Sequence, residues 1–542
     1  MRVRALAGAS VVLLVLAVLS AAFVRNRLRS SSSSSPTAAV SNAGGTPRAG
    51  GELRVGVTRV GSLDPAQART VEQLLVADQL FDTLTTPNPV TLEPQPDLAS
   101  RWQPSADMKQ WDFTLRSGAT FANGRPITGD DVKYTLERIA RPDIASPAAD
   151  LLAPITGEAA FVQGKAPGIA GITVPAPDAV RITLDTPMSV LPALLSSPVF
   201  GVVPREAVEA APPAPSFGQA PVGSGPFTFS QTVGDTIELV PSKGHDSFLA
   251  KLLFRQFDDV SASYQAFQRG ELDWSRVPPE QVADASRRYG PKAFRPYLAE
   301  LFYGFNLKNP KFADPRFREA IVHAIDRRAI DTAVYASTVL PLDGLVVAGV
   351  PGHQDDACGD RCVHDVARAK ALLAQAFPPG TSPPEIFIDY DEDETQAAVA
   401  KAIQAGLAEA GIKATLRAKG LQEYQSFAVS GQQELFRLGW IGAYPSPDAF
   451  LPPLVSSGSA SNLTGFSSPT VDQGLAAARA EADPAKRVSL YQTAEREVMA
   501  QLPVIPIAQF QLHSVESSRV RGLSPTTMGT FDASVVWLAG GG

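Results

Sequence analysis

Leu435-Phe436-Arg437-Leu438-Gly439-Trp440-Ile441-Gly442-Ala443-Tyr444-Pro445-Ser446-Pro447-Asp448-Ala449-Phe450 reads as a strand that runs into an irregular loop. Leu435, Arg437 and Gly439 alternate with Phe436, Leu438 and Trp440, the two-residue period of a pleated strand. The Gly, Tyr and Pro residues that follow suit neither a helix nor a strand. A large aromatic at a strand end, with a turn behind it, can present its ring to a ligand; it can equally be a core tryptophan before an ordinary loop.

The chain just before this stretch supplies its context. Glu385 to Asp391 alternates as a strand, with Ile386, Ile388 and Tyr390 in phase. Thr395 opens a helix carrying Val399, Ile403 and Leu407 at four-residue spacing, and Gly411 ends it. Ile412, Ala414 and Leu416 then share one face of a second strand. A strand, a helix and a strand in that order imply a parallel pair with the helix packed on the sheet.

Similar signals recur on the N-terminal side. Gly51 to Val57 alternates as a first strand, and Val71 to Leu84 has a helical period. Thr128 caps a helix with acids in its first turn. Ile172 to Val174 and Val180 to Leu184 form a hairpin. Phe200 to Val203 reads as a short apolar strand, and Pro221-Val222-Gly223-Ser224-Gly225-Pro226-Phe227 as a rigid glycine turn. Asp314 and Pro315 are a cap and a first helical residue, and Arg316, Arg318, Arg327 and Arg328 behind them should stay in water. These signals predict an α/β protein of two lobes, with its ligand site in the crevice at the strand ends.

The chain has 542 residues, 44% hydrophobic and 19% charged, which suits a globular protein of several domains. A net charge of -7 argues against a nucleic-acid groove. Arg2 and Arg4 precede an uncharged run from Ala5 to Val24, so residues 1–24 read as a secretory signal or an uncleaved membrane anchor. Residues 25–50, rich in Ser, Gly and Pro, are a flexible linker. The rest of the chain is therefore expected outside the cytoplasmic membrane, anchored or secreted. Cys358 and Cys362 are the two cysteines. In an exported chain they are most simply a disulfide, while His353 and His364 nearby leave a metal site as the alternative. No Gly-x-Ser-x-Gly, His-Glu-x-x-His or phosphate-loop motif occurs, so no catalytic residue, cofactor or metal is expected.

Taken together, Leu80-Phe81-Asp82-Thr83-Leu84, Pro96-Asp97-Leu98-Ala99, Phe113-Thr114-Leu115-Arg116 and Phe121 to Val132 resemble the N-terminal signature of the extracellular solute-binding proteins of family 5. That group includes the dipeptide- and oligopeptide-binding components of ABC importers. Gly223 to Phe227, Gly270-Glu271-Leu272-Asp273, Phe305-Asn306 through Asp326-Arg327, and Gly439-Trp440 with Pro447-Asp448 continue the resemblance in order. It implies a class II periplasmic-binding-protein-like clamshell. Lobe one would hold residues 51–87, 196–297 and 509–542, with an inserted subdomain at 88–195, and lobe two residues 298–508. It also implies binding without covalent chemistry and a monomer that delivers a peptide or peptide-like solute to permease subunits. A membrane-tethered sensor or scaffold with the same fold is the alternative.

By the same resemblance Arg437, Gly439, Trp440 and Ile441 border the ligand. Tyr444 and Asp448 of the loop, Trp274 and Asn306 complete the expected contacts. Peptide binders of the family place an Asp three residues beyond the Trp, where it pairs with the ligand's α-amino group. Here that residue is Ala443. A blocked peptide, a glycan-like or otherwise uncharged solute, and a peptide held by backbone contacts all stay open as ligands.

Overall fold

In a computed structural model the chain is described for residues 46–210, 216–290 and 294–539. The expected signal or anchor, and the linker up to residue 45, lie outside the described residues.

One mixed sheet runs through both halves of the molecule. Its strands lie in the order 414–419, 386–391, 435–441, 294–305, 504–516, 274–276, 52–58, 251–257, 236–241 and 227–233. Strand Val339–Pro341 pairs beside Val504–Glu516. The parallel pair predicted from the helical crossover is present, with Ile386 opposite Ala414 and Ile388 opposite Leu416. Its helix, Glu394–Ala410, is capped by Asp393 and ends at Gly411. Val399, Ile403 and Leu407 are fully buried. Each such side chain stabilises the fold by about 1.5–3 kcal/mol relative to an exposed position.

Two long strands join the halves. Phe294–Phe305 and Val504–Glu516 pair with each other along most of their length, and 504–516 continues to pair with Trp274–Arg276 of lobe one. Their ladder is interrupted between Pro296 and Glu300, where the register shifts. A bulge of this kind bends and twists a strand locally. The expected lobe limits at 297/298 and 508/509 fall within these two strands.

The rest of lobe one follows the expected order with small shifts. Thr128 caps the helix Gly129–Ala140, and a separate four-stranded antiparallel sheet occupies 99–104, 110–115, 179–183 and 172–176. The helix from Val71 stops at Leu80, because Phe81 leaves the helical conformation to pack on Phe217, with the ring centres 6.1 Å apart. The strand expected at Phe200 to Val203 is absent: Phe200 ends a turn of 3₁₀ helix, and the N–H groups of Val202 and Val203 go to the Asp82 carbonyl and the Thr135 hydroxyl, both at 3.0 Å. The glycine turn lies against this helix end: a Cβ on Gly223 would come within 1.8 Å of the Leu80 carbonyl oxygen. Asp64 caps a short turn and forms a buried ion pair with Arg138.

In lobe two, Phe305, Phe312, Phe317 and Phe377 form a chain of ring contacts at 5.3, 6.2 and 5.2 Å. Arg316 and Arg328 are exposed, as expected. Arg318 instead turns back onto the carbonyls of Phe312 and Gln501 at 2.7 Å, and the side chain of Arg327 is only 11% exposed. Helix ends and loops leave carbonyl oxygens without intrahelical partners, and these guanidinium groups cover them. Cys358 and Cys362 form a disulfide, with Cα atoms 5.6 Å apart. His353 turns away to hydrogen-bond the Val346 carbonyl at 2.6 Å, and His364 faces Asp326 at 3.5 Å.

Candidate functional site

Strand Leu435–Ile441 lies between 386–391 and 294–305, so its side chains are fixed from both edges. The half-buried Trp440 donates its indole N–H to the Ala449 carbonyl at 2.6 Å and packs against the cluster of Tyr424 and Ala428. Its ring is thus locked by the loop that follows it. That loop folds back tightly: a Cβ on Gly442 would come within 2.5 Å of the Phe450 ring. Gly442 is required there for close approach, since a side chain would push the loop off the sheet.

Ile441 lies across from Ala299 and joins Tyr297 and Leu512 in a small apolar cluster with Val71 of lobe one. The end of the strand is therefore where lobe two touches the first helix of lobe one. Gly439 pairs with Leu301 in the middle of the ladder.

Arg437 is completely buried on the same face as Ile441, directly across from Tyr303. Its Nη1 is 3.0 Å from Asp391 Oδ1. The approach lies off the hydrogen-bonding directions, so no guanidinium nitrogen of Arg437 has a hydrogen-bond partner. The hydroxyl of Tyr303 has none either, and burial holds its pKa well above the ordinary tyrosine range. A buried cation with unused donors is expensive in a folded protein; it is tolerated when something else satisfies it.

Tyr444 and Asp448 are placed differently. Asp448 is 1% exposed, and four hydrogen bonds consume its carboxylate. Arg479 donates through Nε and Nη2 at 2.7 and 3.0 Å, Tyr491 at 2.7 Å and Tyr444 at 2.8 Å. Burial raises the Asp448 pKa, but the Arg479 charge and these donors outweigh it, and the net shift is downward. The side-chain polar atoms of both residues are thus engaged with each other and with the helices behind the loop.

Asn306 sits at the other end of the ladder, next to Phe305, which pairs with Leu435. Its amide donates to the Gly431 and Gln433 carbonyls at 3.0 and 2.8 Å, and its oxygen accepts from Lys308 N–H at 3.2 Å. It ties the strand entry to the preceding turn and lies away from Trp440. Trp274 is 5% exposed, its ring 5.5 Å from that of Phe531. It also lines a recess of about 390 Å³ at the lobe crossover, with Val71, Leu75, Arg276, Leu512 and Gly529. Its indole N–H has no partner there. Arg276 in this recess pairs with Glu72 at 2.6 Å.

The structure thus gathers Arg437, Gly439, Trp440 and Ile441 at one strand end, with Tyr444 and Asp448 in the loop behind. It sets Trp274 across the crossover and Asn306 apart. One residue escaped the sequence reading. Glu300 lies directly across from Trp440 at the bulge, is fully buried, and has no hydrogen-bond partner for either carboxylate oxygen. Burial, with the nearby Glu495 charge, pushes its pKa well above the usual carboxylate range. The available signal was a lone acid inside the apolar run Leu298 to Phe305.

Among the described residues no group of three or more His, Cys, Asp or Glu is arranged to hold a metal ion. No described helix is long and apolar enough to cross a membrane.

Comparison with known proteins places the fold. The family model described as bacterial extracellular solute-binding proteins, family 5 middle, matches residues 93–462. The periplasmic murein peptide-binding protein MppA of Escherichia coli (strain K12) is 28% identical over 463 residues, covering 83% of this chain and 86% of that protein. The probable deoxycholate-binding periplasmic protein YgiS of the same organism is 28% identical over 465 residues, covering 82% and 85%. The unliganded open form of MppA superposes with a TM-score of 0.79 at 25% identity, covering 90% of this chain and 97% of that one. The mixed α/β architecture is that of a two-lobed clamshell binding protein, and the chain belongs to the family 5 bacterial extracellular solute-binding proteins.

Proposed function

We propose that this protein captures a peptide or peptide-like solute between its lobes and delivers it to the permease of an ABC importer. The lobes are taken as 51–87, 196–297 and 509–542 against 298–508, with 88–195 inserted in the first. The observation that carries the reading is Arg437, a buried guanidinium without a hydrogen bond on the sheet face that ends at the lobe junction. An anionic or carbonyl group of a ligand would supply the missing acceptors, and a charge-assisted hydrogen bond is about twice as strong as a neutral one. Ile441 continues that face as an apolar wall, Trp440 stands on the opposite face of the same strand end, and the unpartnered indole N–H of Trp274 is a donor on the lobe-one side.

Ala443 leaves no acid three residues beyond Trp440. The ligand is accordingly recognised by an acceptor group and by apolar and backbone contacts, and a free amine is not required. Binding closes the lobes by bending the two crossover strands, and the closed form docks on the permease. The solute leaves chemically unchanged. The protein works outside the cytoplasmic membrane, held there or released according to the fate of residues 1–24.

Native mass spectrometry of the ectodomain from residue 50 onward tests the reading. A solute of defined mass should co-purify with the wild type and be lost or weakened in Trp440→Ala. A Trp440→Ala protein that retains the solute with wild-type affinity would remove Trp440 from the site. A turnover assay on the released solute, returning the same mass, checks that nothing is transformed.

A further inference from the structure

A second recess, of about 450 Å³, lies between the inserted subdomain and lobe two. Leu92, Glu93 and Ser189 stand on the subdomain side, and Pro447, Arg487 and Tyr491 on the lobe-two side. The two sides meet at a main-chain hydrogen bond, from the Ser189 N–H to the Arg479 carbonyl at 2.7 Å. That carbonyl lies in the last turn of the helix Pro469–Ala480, where carbonyl oxygens lack intrahelical donors. A residue of the subdomain thus caps a helix of lobe two.

Glu93 and Arg487 are half-buried, opposite in charge and on facing walls. Neither has an ion-pair partner among the described residues. The turn behind Glu93 is tightly held. The Asn88 N–H donates to the Glu93 carbonyl at 2.8 Å, and the Leu92 N–H to the Asn88 carbonyl at 2.9 Å. Leu92 takes a φ of +60°, a left-handed conformation that leucine seldom adopts. Arg487 lies in the first turn of the helix Pro484–Gln501. Its Nη1 reaches the Glu481 and Ala482 carbonyls at 3.3 and 3.5 Å, beyond the usual hydrogen-bond range. Both charges are therefore free to pair across the gap, and burial screens them less than exposed groups.

We infer that this recess is the open state of a clasp between the inserted subdomain and lobe two, which pivots at the Ser189–Arg479 hydrogen bond and closes by pairing Glu93 with Arg487. None of the residues lining it belongs to the crossover strands, so the clasp is a second point at which the two parts of the molecule are held. It acts on the loop after Trp440 through Arg479. The Arg479 carbonyl accepts from Ser189, while its guanidinium holds Asp448 at 2.7 and 3.0 Å. The loop that carries Asp448 also gives Pro447 to the recess wall and the Ala449 carbonyl to the Trp440 indole. Closing the clasp therefore bears on the loop that fixes the Trp440 ring. Its charges and its pivot belong to this chain alone, so the clasp stands or falls apart from the identity of the solute.

Double electron–electron resonance on the full chain without solute tests it. Nitroxide labels are placed at Ser100→Cys in the subdomain and Glu497→Cys in lobe two, both exposed positions. The native cysteines are joined to each other and take no label. The otherwise unaltered labelled chain should show a short and a long distance. Glu93→Gln and Arg487→Gln should each cut the short-distance fraction about threefold, the effect of one partly exposed ion pair. The charge swap Glu93→Arg with Arg487→Glu should restore it. Raising salt from about 0.1 M to about 1 M, which shortens the screening length from about 10 Å to about 3 Å, should cut the short-distance fraction in the wild type and leave it unchanged in the single variants. All variants are checked to melt as the wild type does; should one fold poorly, the other and the salt series decide. A distance distribution that neither the single variants nor salt moves overturns the clasp, as does a charge swap that fails to restore what the single variants lose.

Discussion

Asp448 and Arg479 form a two-point ion pair, Nε to Oδ1 at 2.7 Å and Nη2 to Oδ2 at 3.0 Å, behind the loop that carries Trp440. The Asp448 side chain is fully buried, whereas the Arg479 side chain is 27% exposed. Through this pair the loop 442–450 is fastened to the helix Pro469–Ala480, and the hydroxyl of Tyr491 fastens it to Pro484–Gln501. The pair holds in place the loop that follows Trp440.

Breaking it should be costly. Removing one partner of a buried ion pair destabilises a protein by about 3–5 kcal/mol, because the other charge is left uncompensated. Arg479→Ala leaves the Asp448 carboxylate buried with two tyrosine donors and should show a loss of that order in urea denaturation. A loss below about 1 kcal/mol would mean the loop relaxes to hydrate Asp448.

The Arg437–Asp391 pair predicts the opposite balance. Replacing a buried pair by apolar residues of similar volume is often neutral or stabilising. Arg437→Met with Asp391→Leu should therefore melt at or above the wild-type temperature while the co-purifying solute disappears from the native mass spectrum. Retention of the solute by the double variant would separate Arg437 from binding.

Glu300 makes stability fall as pH rises. Its folded-state pKa lies well above its unfolded value because of burial and the Glu495 charge. The neutral acid's contribution is complete below the unfolded value of about 4.3 and is lost as pH rises toward the folded pKa. Glu300→Gln removes this term. The stability difference between variant and wild type should shift in favour of the variant between pH 4 and pH 8, followed by denaturant midpoints across that range. A constant difference would place the Glu300 carboxyl in contact with water or a cation.

Asp273 works with the reverse sign. Burial raises its pKa, but Arg519 and Arg54 overcome it, and the carboxyl is lowered to about 2. It joins the first strand to the C-terminal segment, accepting from Arg54 Nε at 2.9 Å and Arg519 Nε at 2.6 Å. This contributes about 2 kcal/mol at neutral pH, present above the unfolded value near 3.9 and lost as pH falls toward 2. Asp273→Asn should lower the denaturation midpoint at pH 7 and converge with the wild type at pH 2. Hydrogen exchange should quicken in 52–58 and 517–521 together.

The disulfide closes a loop of only a few residues, so it removes little entropy from the unfolded chain. The double variant Cys358→Ser with Cys362→Ser should lose no more than about 2 kcal/mol of stability, measured in the same denaturation experiment, with solute binding unchanged.

The sequence by itself determined the elements and the family. The alternation at 386–391 and 435–441, the four-residue spacing of Val399, Ile403 and Leu407, and caps such as Thr128 and Asp314 depend on neighbours a few residues away, and local patterns record them. The strand ending in Trp440 could be read for the same reason. Tertiary structure decided what those side chains do. Asp448 and Asn306 could have faced a ligand, but Arg479, thirty-one residues on, and the turn at Gly431–Gln433 take up their hydrogen-bonding groups. Family resemblance sets Arg437 beside the ligand, but only the packed structure shows burial removing its water and leaving its donors unfilled. Glu300 and the Trp274 recess become significant only when segments tens or hundreds of residues apart meet, because burial and unmet hydrogen-bonding capacity belong to the packed surroundings and are not encoded in local spacing.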